Sequence, residues 1–325
     1  MAKEIFRIGS FNLLNLVLPN HRFYGRQIYN EKTYQKKIRW ISEQLDKMDC
    51  QLIGFQEVFH REALEETLKL SETCRGYHIV TANTDGELPR VALASKYEIL
   101  HSEVITRFPS VLDIEGINIP LTEFSRPVLR AQVKVNEDLA ITVYVVHLKS
   151  KRPVLKDGES RKNPVDVAKG QARALVRRGI EAMALREILM QDLQNRKTPV
   201  ILMGDVNDTG SAVTSRIVSG EPPHRKYPQD VKKEIWDLLL YHVKDIQARR
   251  SYQDFYYTHI HNGHHEALDH LMVSEEFVQD NPDHIGRIGL VSLLNDHLVD
   301  ETVSDNGVNE WQSDHGQVVA TVEFR

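Results

Sequence analysis

Six short polar clusters, each at one end of an apolar run with strand character, constrain this chain more than any other feature. Ser10-Phe11-Asn12 closes a run at residues 5–11, and Gln56-Glu57 closes one at 52–55. His147-Leu148-Lys149 ends the run 139–147, and Gly204-Asp205-Val206-Asn207-Asp208 follows 200–203. Leu268-Asp269-His270 opens the run 268–273, and Ser313-Asp314-His315 precedes 317–324. Apolar runs of this length, bounded by polar residues, read as strands. Paired strands bring their ends to a common edge, so such a chain can gather carboxylates, amides and imidazoles at one rim of a sheet.

Helical patterns lie between the runs. Ile38, Ile41, Leu45 and Met48 recur at helical spacing over residues 36–48, and 62–70 also reads as a helix. Residues 167–193 set Leu175, Ile180, Met183, Ile188 and Leu189 among many Ala and Arg, which predicts the longest helix. Further strands are expected at 77–82, 90–95 and 127–135, close enough in sequence for antiparallel meanders. The stretch 220–233, rich in Pro and basic residues, reads as irregular. A length of 325 residues admits one or two domains at about 150 residues each. With no repeat, and with the candidate loops 152–164 and 295–309 lying inside the alternation, one α/β domain over 1–325 is expected, its paired sheets covered by helices.

Composition removes several classes. A chain that is 41% hydrophobic and 27% charged is neither disordered nor fibrous. Its net charge of -5 rules out a general polycation, so contact with nucleic acid or another polyanion must be local. Cys50 and Cys74 are too few for a disulfide framework or a thiolate zinc cage and read as reduced, structural residues. The first residues mix charges ahead of a short apolar stretch broken by Asn12 and Asn15, unlike a signal peptide. No run approaches the ~20 residues of a membrane span. A cytoplasmic protein is expected, and no protein partner is indicated.

Singly, each cluster has an ordinary reading. Asn12 and Asn207 suit turns, Asp205 suits a loop or a helix N-cap, and His147 suits a satisfied core histidine. Glu57 is harder to place so, because a buried strand would carry it and an unpaired buried carboxylate is costly. Asp314 and His315 can share one site only at an irregular turn, since neighbours on a strand point oppositely. Together the residues suit phosphate chemistry. Asn12, Glu57 and Asp314 offer the oxygen donors that Mg2+ prefers, with Mn2+ or Ca2+ as alternatives. Asp205, placed by Asn207, can deprotonate a water for in-line attack on phosphorus. His315 held by Asp269 can stabilise developing charge, and His147 with Arg126 can grip nonbridging oxygens.

The set, in its order, resembles the endonuclease/exonuclease/phosphatase superfamily, of which pancreatic deoxyribonuclease is a member. That resemblance covers nearly the whole chain and rests on Asn12, Gln56-Glu57, His147, Gly204-Asp205-Val206-Asn207, Asp269 and Ser313-Asp314-His315. It implies a four-layered α/β/β/α sandwich of two mainly antiparallel mixed sheets, divalent-metal dependence and hydrolysis of phosphate esters. The family often has Tyr after the late Asp, where this chain has His270, which is read as a packing residue. Glu87 stands near the place of an upstream Glu that pairs with the central histidine in the deoxyribonuclease branch.

Residues 147–178 carry ten cations against Asp157, Glu159 and Asp166, a local charge of +7. The part from Arg173 to Arg178 reads as a solvated helix face, whereas Lys149, Lys151 and Arg152 would stand at the rim of the site and meet phosphates. A nuclease is therefore the leading expectation, and a phosphatase or phosphodiesterase for a small or lipid-headgroup ester the alternative. A noncatalytic scaffold is a third class, disfavoured by the full set of ionisable residues. His259, His261, His264, His265 and His270 lack the spacing of a zinc motif and read as a solvent-exposed hairpin.

Overall fold

In the computed structural model the residues described are 5–25, 27–82, 84–110, 113–114, 117–195, 198–248, 256–261, 263–300, 302 and 307–325. The first half carries β1 (Ile5–Leu16), α1 (Glu31–Met48), β2 (Leu52–His60), α2 (Arg61–Leu70), β3 (His78–Thr81), β4 (Asp85–Ser95), β5 (Glu98–Arg107), β6 (Glu123–Lys134) and β7 (Ala140–His147). The second carries α3 (Pro164–Asn195), β8 (Val200–Asp205), α4 (Val213–Ser219), α5 (Gln229–Trp236), β9 (Tyr241–His242), α6 (Val243–Ala248), β10 (Asp269–Val273), β11 (Gly286–Leu294) and β12 (Gln317–Phe324). These strands make two six-stranded sheets, ordered β11-β12-β1-β2-β4-β3 and β9-β10-β8-β7-β6-β5. The central pairs β1/β2 and β7/β8 are parallel and the rest antiparallel.

Period-two burial stacks the layers. Phe6, Ile8, Leu52 and Leu93 of the first sheet meet Val143, Val145, Ile201, Met203 and Leu271 of the second in one core. The opposite faces are covered by helices. Phe11, Ile53 and Phe55 pack under Ile38, Ile41 and Leu45 of α1 and Leu64 and Leu68 of α2. Tyr144, Val146 and Leu202 pack under Leu185, Ile188 and Leu189 of α3. Helix α3 starts at Pro164, where a missing N–H costs nothing, and Asn163 Oδ1 accepts the Val165 N–H at 3.0 Å. This is the expected four-layered α/β/β/α arrangement.

Three differences from the sequence reading have local causes. Residues 220–233 are not irregular throughout, because α5 begins at Gln229 behind Pro228. Strands β5 and β11 were not expected, since both are sheet edges with polar or glycine-interrupted sequences. Strands β1 and β2 run beyond their apolar stretches through Asn12 and Glu57. Cys50 and Cys74 are free and buried. Among the described residues, no helix is long and apolar enough to cross a membrane.

Candidate active site

Side-chain alternation decides which polar residues meet. On β7 and β8 the odd-numbered Val143, Val145, Ile201 and Met203 face the core between the sheets. His147 and Asp205, also odd, therefore face the same way. Register pairs His147 with Asp205 and Asp205 with Asp269, so three neighbouring strands set these groups in one row. On the other sheet, even-numbered Ile8 and Leu52 face the core, and Asn12 and Gln56, themselves register partners, follow that parity. His270 falls on the opposite face. Its Nε2 donates to the Asp208 carbonyl at 2.8 Å, which leaves Nδ1 to accept from His242 Nδ1 at 3.2 Å.

Glu57 breaks the alternation. Its φ of +63° lies at a register shift between Phe55 and Val58, and this bulge frees the carboxylate from its strand's outward direction. Gly204 is required next to Asp205, because a Cβ there would lie 2.0 Å from the Val146 carbonyl oxygen. Asp314 and His315 sit at bends before β12, the irregular turn that adjacent site residues need. Ser313 fixes that turn: its hydroxyl donates to the Asn12 carbonyl at 2.6 Å and accepts from the His315 N–H at 3.0 Å.

Asp205 is the hub, 1% exposed. Its Oδ1 accepts the Asn207 N–H at 2.7 Å, and its Oδ2 accepts from Asn12 Nδ2 at 3.3 Å. His147 Nε2 lies 3.4 Å and His315 Nε2 3.9 Å from that same oxygen. Asn207, with φ +56°, donates its side-chain N–H to the Leu148 carbonyl at 3.0 Å and so ties the loop to β7. Burial first, and the Asp269 charge second, push the Asp205 carboxyl up to about 7. Asp269 Oδ2 accepts from His315 Nδ1 at 2.7 Å. Burial works against a charged His315, but Asp269, Asp314 and Asp205 outweigh it and hold the imidazole well above its ordinary value. His147 is driven well below its own by burial and by the charges of Arg126 and His315. The two histidines are thus a charged donor and a neutral one.

Glu57, Asp314 and Asn12 supply further oxygen donors. Glu57 accepts the Asn15 N–H at 3.0 Å, and its carboxyl is raised by burial, with Arg126 opposing and Asp314 reinforcing. Asp314 Oδ1 is buried without a hydrogen-bond partner. Asn12 Oδ1 accepts the Leu14 N–H at 3.1 Å and keeps a second lone pair. Two neighbouring carboxylates with one orphaned oxygen call for a cation, and the all-oxygen set Asn12, Glu57 and Asp314 fits a hard divalent ion. Arg126 donates to the Leu148 carbonyl at 3.2 Å, and its charge reaches Glu57, His147 and Asp205.

The basic run behaves differently from its sequence reading. Arg178 is not on a solvated face: it is 4% exposed and bonds Asp208 Oδ2 at 3.1 Å. Arg173 is paired with Glu159, and Arg177 lies 3.5 Å from Glu181. The Lys149 ammonium donates to the Ser150 and Arg152 carbonyls, and burial and Arg126 pull it down to about 8. Lys151 is paired with Glu266. Arg152 is exposed near Tyr24, whose hydroxyl is raised to about 12 by burial and Glu57, with Arg126 and Arg152 opposing. Glu87 is exposed on β4. Asp205 caps no helix, since α4 starts beyond Ala212.

Sequence reasoning missed Lys37 and Tyr24. Lys37 is fully buried on α1, its amine without a hydrogen-bond partner, 5.6 Å from the Tyr29 ring centroid and within reach of the Glu57 and Asp314 charges. Its place among Tyr34, Ile38 and Ile41 on the apolar stripe was the available signal. The hairpin His259–His261 with His264–Glu266 does form, and His261, His264 and His265 are exposed. His259 departs from that reading, being half-buried with its ring 4.8 Å from that of His315.

The sequence model described as the Endonuclease/Exonuclease/phosphatase family matches residues 9–315. Among solved structures, an endonuclease/exonuclease/phosphatase family protein from Bacteroides thetaiotaomicron superposes with TM-score 0.58 at 13% identity, covering 99% of this chain and 96% of that one. A mannosyl-6-phosphatase from the same organism gives 0.56 at 15%, covering 98% and 100%. An AP endonuclease from Archaeoglobus fulgidus gives 0.52 at 14%, covering 97% and 98%. At these identities the likeness is one of fold. No curated protein sequence matches.

Proposed function

Because the chain belongs to the endonuclease/exonuclease/phosphatase family of phosphoric ester hydrolases, we propose that it is a divalent-metal-dependent phosphodiesterase acting on nucleic acid. The observation that carries the reading is the convergence on Asp205 Oδ2 of Asn12, His147 and His315, with Asp269 behind His315. Asp205, with a carboxyl poised near neutrality, takes the proton of the attacking water, and Asn207 holds the carboxylate through its backbone N–H. His315, charged and oriented by Asp269, donates from Nε2 to the phosphate as negative charge grows. Neutral His147 and the Arg126 guanidinium hold nonbridging oxygens. Asn12, Glu57 and Asp314 hold the cation, Mg2+ or Mn2+. When bound, that ion supplies charge neutralisation and polarisation of the phosphate.

Tyr24, a residue 53% exposed, and Arg152 flank the site, a pairing of aromatic face and cation that suits a base and its phosphate. One observation favours the alternative of a small phosphate ester. Lys149, Lys151, Arg173 and Arg178 are all engaged within the protein, which leaves a smaller cationic rim than the local +7 suggests. A panel of plasmid DNA, single-stranded DNA, RNA, bis-p-nitrophenyl phosphate and a phosphomonoester, each with Mg2+ or Mn2+, separates the two. Turnover of the monoester alone sinks the nuclease proposal, and turnover of none sinks both.

A further inference from the structure

His259 has no part in the hydrolytic scheme, yet it is built like a metal ligand. Its Nδ1 faces the Asp314 carbonyl oxygen at 2.9 Å and must donate to it. A ring nitrogen anchored to a backbone carbonyl leaves the other nitrogen oriented for a cation, the arrangement that metal-binding histidines use. The His315 ring lies beside it, tilted by 30°, and is anchored in the same manner through its Nδ1 to Asp269. One ligand atom each from His259, Asp314 and His315 fall within 4.8 Å of one another. Asp314 Oδ1 is buried and lacks a hydrogen-bond partner. A cavity of about 490 Å³, lined by His259, His261, Asp300 and Asp314 among others, adjoins the group and has room for an ion's water ligands.

We propose that His259, Asp314 and His315 form a second cation subsite, selective for a borderline first-row ion such as Zn2+ or Co2+ and distinct from the all-oxygen set around Glu57. Two imidazoles and one carboxylate, with a place for water, match the donor preference of these ions and not that of Mg2+. The proposal rests on the hydrolase reading only in sharing Asp314 and His315 with it. That sharing has a chemical consequence. The His315 Nε2 that would bind the ion, releasing its proton to solvent as it does so, is the atom that otherwise faces Asp205 and the phosphate. Occupancy of the subsite therefore withdraws His315 from the reaction, and Zn2+ added above the activating Mg2+ inhibits.

The test is a Co2+ titration of the full chain after chelator treatment, without substrate, followed by visible absorption and by paramagnetically shifted exchangeable imidazole protons. The wild type is expected to show visible ligand-field bands and two classes of shifted N–H, one from His259 and one from His315. His259→Ala, or His259→Gln if the first variant misfolds, removes one N–H signal and weakens Co2+ binding by at least ~10-fold. Glu57→Gln leaves both signals in place. An unchanged spectrum in the His259 variants, its loss in Glu57→Gln, or no imidazole-bound Co2+ in the wild type overturns the subsite. A chain that binds Co2+ as expected but hydrolyses no phosphate ester counts against the hydrolase reading alone.

Discussion

Asp205 should leave a signature in stability as well as in turnover. In the unfolded chain its carboxyl ionises near the ordinary 3.8, whereas in the fold burial and Asp269 hold the proton up to about 7. Folding therefore takes up a proton between these values, so Asp205 costs the native state progressively more as pH rises from about 4 to 7 and no more above that. Asp205→Asn removes this proton uptake. The amide also disturbs the bonds to Asn12 and His147, a cost that does not depend on pH in this range. From pH 5 to pH 8, the variant's stability relative to wild type should thus rise by about 2–3 kcal/mol, two pH units at ~1.4 kcal/mol each. Asp269 and Asp314, which raise His315 more than Asp205 does, remain in the variant. Urea unfolding at several pH values with chelator present measures the difference, while kcat falls by orders of magnitude. Parallel pH-stability curves for the two proteins would refute the assignment of a raised Asp205 carboxyl.

Asp269→Asn removes the charge that keeps His315 protonated against burial, and kcat should fall by ~100-fold or more with the fold retained; an unchanged kcat removes His315 from the charge-stabilising role. Glu57→Gln should raise the Mg2+ concentration needed for half-maximal activity, with excess Mg2+ restoring part of the rate, and no restoration would count against ligation. On a nucleic-acid substrate, Arg152→Ala should reduce the salt slope of binding by ~1, whereas Lys149→Ala should leave it unchanged because its ammonium is bonded within its own loop. Equal slopes for the two variants would reverse that distinction.

The placement of the candidate site was legible where it sits on regular strands. Residue type, order and strand parity together locate Asn12, His147, Asp205 and Asp269, and parity also accounts for the separation of His270 from its neighbour Asp269. What escaped was set by irregular backbone or by long-range pairing. The +63° φ at Glu57 has no local sequence signal, since a bulge is defined by the partner strand. Arg178 read as solvated because its helix face looked polar, but Asp208, 30 residues away, draws it inside. Lys37 was overlooked for the opposite reason, a charge standing in an apolar stripe that was counted only for its hydrophobic members.

The row His147, Asp205 and Asp269 stands on rungs of one sheet, with spacing inherited from backbone pairing, while Tyr24, Arg152 and His259 lie on or near loops and a hairpin. On the proposed reading, the groups assigned to bond breaking in this row stand on paired strands, and those assigned to the mouth stand on connecting segments. On that reading a lineage can rewrite the segments around the mouth, and so exchange one ester for another, while the spacing within the row stays fixed by strand pairing.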